Sequence, residues 1–132
     1  MLITKESDYS IRIIRALADN EKKTVKTICE QELIPHKFAY KILKKLSDAG
    51  FVQSFQGPDG GYKLARTLCS FTLYDIISAA NEDILLFECM RKDWECPLNN
   101  SESPCAAHRE LERIQNIMVK EMKLKTMDEV LT

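Results

Sequence analysis

Hydrophobic positions first recur at helical spacing over roughly Lys5 to Asp19, where Tyr9, Ile13, Ile14, Leu17 and Ala18 share one face. Thr4 precedes the run and predicts an N-cap, because its hydroxyl can accept a free first-turn N–H. The polar stretch DNEKK breaks the pattern. A short second helix is predicted over Val25–Gln31 with Thr24 as its cap. Pro35 then fits the first position of a third helix, where its missing N–H is not needed. That helix is expected to run to about Ala49, with Gly50 as its C-cap. Phe38, Ala39, Ile42, Leu43 and Leu46 form its apolar face, and Lys37, Tyr40, Lys41, Lys44 and Lys45 lie opposite.

The period then shortens. FVQSFQ and GYKLA read as two strands, with GPDG between them as a turn: Pro58 presets φ and Gly60 closes it. All four glycines, Gly50, Gly57, Gly60 and Gly61, fall within this short stretch, which therefore marks a hairpin tip. Thr72 caps a further amphipathic helix, LYDIISAAN, with Asp75 at its third position. A short apolar piece, DILLF, leads to Cys89. From Cys89 to Cys105 the chain is polar, holds Pro97 and Pro104 and has no period, which predicts a loop. About Ala106 to Lys125 reads as the longest helix, with Leu111, Ile114, Met118 and Met122 at coiled-coil-like spacing. Thr126 and Glu129 form a capping box for a last short helix.

These elements predict a mainly α fold with a small β-hairpin wing: a winged helix-turn-helix domain plus a long C-terminal helix. The expected divisions are 1–66 for the winged domain, 67–105 for a connecting helix and cysteine-rich loop, and 106–132 for the long helix and its cap. Composition is consistent with one core-bearing domain: 132 residues, 45% hydrophobic and 30% charged. No apolar run approaches the ~18–20 residues of a membrane span, and the opening MLITKESDYS lacks the apolar core of a signal peptide. The expected location is cytoplasmic. The net charge of −1 hides an asymmetry, with twelve Lys/Arg and eight Asp/Glu in 1–66 against seven and twelve in 67–132. A polyanion would meet the first half.

Helix, short turn, helix and hairpin, with lysines outward, is the arrangement by which one helix crosses the DNA backbone and the next enters the major groove. His36, Lys37 and Tyr40, near the start of the third helix, are the candidate base readers. Lys41 and Lys44 are candidates to neutralise phosphates. Nucleotide readings of the glycines fail: counting from Gly57, a P-loop requires glycine where Tyr62 stands, and a strand follows rather than a helix.

The second constellation is CMRKDWECPLNNSESPCAAH, which places Cys89, Cys96, Cys105 and His108 within twenty residues. Thiolates suit Zn²⁺ or iron–sulfur clusters, and imidazole can complete either site. The spacing does not name the metal. Cys29 and Cys69 are expected to be small buried hydrophobes. Trp94, beside Cys96, either shields a metal or anchors the loop. No Cys-x-x-Cys redox pair or catalytic triad is visible, so no enzyme activity is expected.

These residues resemble the Rrf-two family of bacterial winged-helix transcriptional regulators, of its iron–sulfur (IscR-like or NsrR-like) type. The likeness rests on LITKESDYSIRIIRALA, IPHKFAYKILKKLSDAGFVQSFQGPDGGYKLA, FTLYDIISAANE and the three-cysteine loop before a long helix. It implies a homodimer on a palindromic DNA operator, paired through Leu111, Ile114, Met118 and Met122. It implies that the wing residues Gln56, Gly57, Asp59 and Gly60 touch DNA. It also implies an iron–sulfur cluster, [2Fe–2S] or [4Fe–4S], held by Cys89, Cys96 and Cys105 and controlling DNA affinity, with zinc or a thiol-based site as the alternative. The fourth ligand is His108 or the partner subunit's Asp8. Two features depart from the family pattern: the cysteine spacings are longer, and Gln56 and Asp59 stand where the wing usually carries arginine and glycine.

Overall fold

The computed structural model describes residues 4–81 and 84–132, so Asp83 of the DILLF segment lies outside the described residues. The elements run α1 (Lys5–Ala16), α2 (Val25–Glu32), α3 (His36–Asp48), β1 (Val52–Phe55), β2 (Gly61–Leu64), α4 (Leu73–Ala80), α5 (Ala106–Met122) and α6 (Met127–Leu131). Short 3₁₀ turns lie at Leu68–Ser70 and Glu88–Met90. No described helix is long and apolar enough to cross a membrane.

Side-chain caps set the helix starts. The Thr4 and Thr24 hydroxyls each accept the backbone N–H three residues on, at 3.2 Å. Thr72 with Asp75, and Thr126 with Glu129, form reciprocal capping boxes. Helix ends depart from the sequence reading. α1 stops at Ala16 rather than Asp19, because Lys23 Nζ takes the Ala16 carbonyl and Asn20 turns left-handed at φ 62°. Pro35 caps α3 from outside rather than opening it: its ψ of 132° is extended, and its carbonyl accepts Phe38 N–H. α5 closes at Met122, where Lys123 N–H is shared between the carbonyls of Val119 and Lys120.

β1 and β2 pair antiparallel from Val52↔Leu64 to Phe55↔Gly61, and Gly60 N–H closes the turn on the Gly57 carbonyl at 2.9 Å. A third backbone segment joins this wing. Lys23 and Tyr62 exchange both N–H···O bonds, at 2.9 and 2.8 Å. A Cβ on Gly61 would meet the Lys23 carbonyl oxygen at 2.7 Å, so only glycine admits that approach.

One core joins α1 to α4. Ile13, Ile14, Leu17, Ile28, Ile42, Leu43 and Leu46 are buried in it, and it takes in Phe71, Ile76 and Met127 from beyond residue 66. Met127 is fully buried, and its N–H donates to the Phe71 carbonyl at 2.9 Å. Thr72 and Thr126 meet beside it as an antiparallel bridge. The chain therefore leaves the winged body through residues 84–105, runs along α5 and is fastened back by α6. Along α5 no residue is fully buried.

Candidate nucleic-acid interface and thiol loop

The α2–α3 turn is built to fix α3. Leu33 adopts the left-handed conformation at φ 55° and leaves its side chain in water, while Ile34 drops into the core. Glu32, at the end of α2, is buried yet charged; Arg15 of α1 donates to both its carboxylate oxygens, and Arg12 donates to its carbonyl. A buried carboxylate needs such partners, so this contact fixes α2 against α1.

On α3, Ala39, Ile42, Leu43 and Leu46 face the core, while His36, Lys37, Tyr40 and Lys44 stand exposed. Tyr40 keeps 60% of its surface in water. A groove of about 380 Å³ runs between α3 and the wing, lined among others by Lys26, His36, Tyr40, Phe55, Gln56 and Gly57. Gln56 and Asp59 are exposed at the tip. Of the predicted readers and wing residues, His36, Tyr40, Gln56, Gly57 and Gly60 border this concavity, while Lys37 and Asp59 do not line it.

The lysines are not equivalent, which the helical pattern concealed. Lys41 and Lys45 each reach one oxygen of Glu6, at 2.5 Å, instead of lying in a solvated row. Hydrogen bonds from Lys41, then Lys45, hold the Glu6 carboxyl below the usual carboxylate range. Lys44 pairs with Asp48 one turn on, at 2.9 Å. Lys37 lies 4.9 Å from the Phe38 ring centre and makes no ion pair among the described residues.

In the thiol loop, Cys89 and Cys96 line one hollow of about 440 Å³ together with Trp94, Pro97, Asn99 and Asn100. Cys105 caps α5: its sulfur accepts His108 N–H at 3.4 Å, and its own N–H donates to Asn99 Oδ1 at 2.8 Å. His108 Nδ1 is buried with no hydrogen-bond partner. Asp8 is bound to Arg12 at 2.9 Å. Among the described residues, no three His, Cys, Asp or Glu side chains gather where they could hold one metal ion. The donor chemistry nonetheless fits a thiophilic metal or cluster: three thiols and one unpaired imidazole nitrogen occupy the same loop and helix start. Trp94 borders the hollow while remaining 53% exposed, so it does not anchor the loop in the core.

The other cysteines divide. Cys29 is buried, and that burial pushes its thiol up, as expected of a core residue. Cys69 is exposed, contrary to the reading of it as a buried hydrophobe; it lies in the 3₁₀ turn at Leu68–Ser70, with its sulfur 3.4 Å from the Thr67 hydroxyl. On α5, Leu111, Ile114, Met118 and Met122 are partly covered, while Ile117 is 48% exposed.

A family model named Rrf2 and described as an iron-dependent transcriptional regulator matches residues 3–132. "Protein aau3" of Rhizobium meliloti is 27% identical, over 98% of this chain and 84% of that one. The "HTH-type transcriptional regulator NsrR" of Bacillus licheniformis is 28% identical, over 67% of this chain and 64% of that one. The structure of CymR, the global cysteine regulator of B. subtilis, superposes with a TM-score of 0.76 at 24% identity, over 99% of this chain and 96% of that one.

Proposed function

The chain belongs to the Rrf2 family of transcriptional regulators, and from that premise we propose that it is a homodimeric repressor or activator whose grip on a palindromic DNA operator is set by an iron–sulfur cluster in its thiol loop. Residues 1–66 would engage DNA, 67–105 would carry the sensor and 106–132 would pair the subunits. The observation that carries the DNA reading is the exposed start of α3 beside the wing: His36 and Tyr40 border one groove with Gln56 and Gly57, and Lys37 is exposed next to His36. Lys37 and Lys44 supply positive charge for phosphates, and His36 and Tyr40 stand where base edges are read. Gln56 and Asp59 carry no positive charge to the wing tip, so α3 bears most of the affinity.

For the sensor, Cys89, Cys96 and Cys105 are the ligands, with His108 as the favoured fourth: its Nδ1 is buried and unpaired, whereas Asp8 is engaged by Arg12. When bound, the cluster supplies redox and nitric oxide chemistry at the loop. The chain's part is to hold four donors and to link the loop to α5 through the Cys105 cap. The partly covered stripe along α5 supports pairing with a second copy. A second reading is a zinc or thiol-based site in the same loop without a cluster; the absence of a gathered donor set among the described residues favours its thiol-based form.

The test is anaerobic purification with visible absorption, iron and zinc analysis. Stoichiometric iron with a visible band is expected. Zinc alone, or no metal after reconstitution, would replace the cluster reading with the second and leave the DNA reading in place.

A further inference from the structure

We propose that Glu6 is an intramolecular competitor for the DNA backbone, holding Lys41 and Lys45 of α3 on a protein carboxylate that an incoming phosphate must displace. This rests on the reading of α3 as the DNA-facing helix.

The contact has the geometry of an anion site already filled from within. Each Glu6 oxygen takes one lysine, Oε1 from Lys41 and Oε2 from Lys45. Lys45 donates as well to the Ala80 carbonyl at 3.0 Å. The pairing is tertiary, since Glu6 belongs to α1. Its presentation is fixed, because the first turn of α1 is sewn to the end of α4: Thr4 Oγ1 donates to Asn81 Oδ1 at 3.0 Å, and Asn81 Nδ2 donates to Ser7 Oγ. Glu6, Lys41 and Lys45 border a hollow of about 780 Å³, with Lys37, Tyr9 and Phe38 on its wall. The lysine tips therefore have room to exchange partners, and Lys41 keeps 61% of its side chain in water.

The energetics favour exchange over permanence. Partly exposed ion pairs are weak, and a phosphodiester can replace a carboxylate as partner. Exchange is still opposed, because each lysine must break its pair and leave a bare carboxylate near the phosphates. Lys37 has no such pair to break among the described residues. Of the four lysines of α3, Lys37 is ready, Lys41 and Lys45 are reserved by Glu6, and Lys44 is paired with Asp48 of the same helix.

Fluorescence anisotropy with a duplex of arbitrary sequence, read at several salt concentrations on the full chain, tests this. Glu6→Gln is expected to tighten binding about tenfold and steepen the salt dependence by about one to two units. In a Lys41→Gln/Lys45→Gln background the same change is expected to gain nothing. In the otherwise native chain, Lys41→Gln is expected to weaken binding less than Lys37→Gln does. No tightening in Glu6→Gln and Glu6→Ser, both shown folded by thermal melts, would overturn the proposal. So would a gain that survives loss of both lysines, or equal losses for Lys41→Gln and Lys37→Gln. If Lys37→Gln weakens binding while Glu6→Gln does not tighten it, the competitor falls alone. If neither changes affinity or salt slope, the DNA-facing reading of α3 falls with it.

Discussion

In the winged body apolar side chains disappear into one core, with Ile13, Leu17, Leu43 and Leu46 wholly excluded from water, whereas α5 buries none of its residues fully. Both regions contain amphipathic helices with well-formed caps. The difference lies in what each helix has to pack against. α1, α2, α3 and α4 cover one another, while among the described residues α5 packs mainly near α4 and the 3₁₀ turn at Glu88–Met90, with Gln115 Oε1 accepting the Leu86 N–H at 2.9 Å. A 17-residue helix held so lightly draws little stability from this chain alone, because isolated helices of that length are marginal in water. The body covers its own apolar faces, whereas α5 leaves the apolar stripe of Leu111, Ile114, Met118 and Met122 only partly covered.

The comparison can be broken most forcefully from the body. Leu43→Ala is expected to cost about 2–5 kcal/mol in chemical denaturation, because it opens a cavity in a close-packed core. Met127→Ala is expected to behave like a body residue despite its position beyond α5, with a loss in the same range of about 2–5 kcal/mol. A loss near zero there would detach α6 from the body. Next in size is Cys96→Ser, which is expected to abolish the visible band and bound iron of anaerobically purified protein while leaving the melting temperature of the metal-free form unchanged. On the arm, Ile114→Lys is expected to convert dimer to monomer in analytical ultracentrifugation while changing the unfolding free energy of the monomer by only about 0.5 kcal/mol. A large destabilisation of the monomer would place Ile114 in the body's packing instead. For α3, Lys37→Ala is expected to weaken binding to all duplexes and reduce the salt slope by about one unit.

The smallest effect is an acid-limb shift. Lys23, then Glu21 N–H, holds Asp19 below its ordinary value of 3.8. A depressed carboxyl contributes stability above its unfolded pKa and loses it as pH falls through the folded one. Asp19→Asn should therefore flatten stability against pH only below about pH 4, and only slightly, since the Asp19 side chain is 51% exposed. Denaturation midpoints between pH 2 and 6 check it.

The body was largely legible because its signals are local. Thr4, Thr24, Thr72 and Thr126 cap where hydroxyl chemistry says they should, and apolar spacing marks the buried face of α3. What escaped is tertiary. Nothing in the period of α3 shows that Lys41 and Lys45 meet a carboxylate 35 and 39 residues earlier. The strand-like pairing of Lys23 lay inside a polar break, and only the need for glycine at 61 hinted at it. Cysteine spacing shows that thiols are clustered in sequence, but a loop without period carries no rule for where they converge.

The return of the chain at Thr126 has a mechanical consequence. α5 is not a tail on a swivel: beyond its far end, Met127 is seated beneath Phe71, close to the foot of the wing. A helix fastened to the body beyond its C-terminal end acts as a lever, so a partner that rotates it would pull on Phe71, whose ring centre lies 5.0 Å from that of Phe51 at the foot of the wing. In a symmetric pair, the separation of the two α3 helices is then set by the stiffness of this linkage. An operator with one base pair inserted between its half-sites should be refused for reasons of span, even with every contacted base intact.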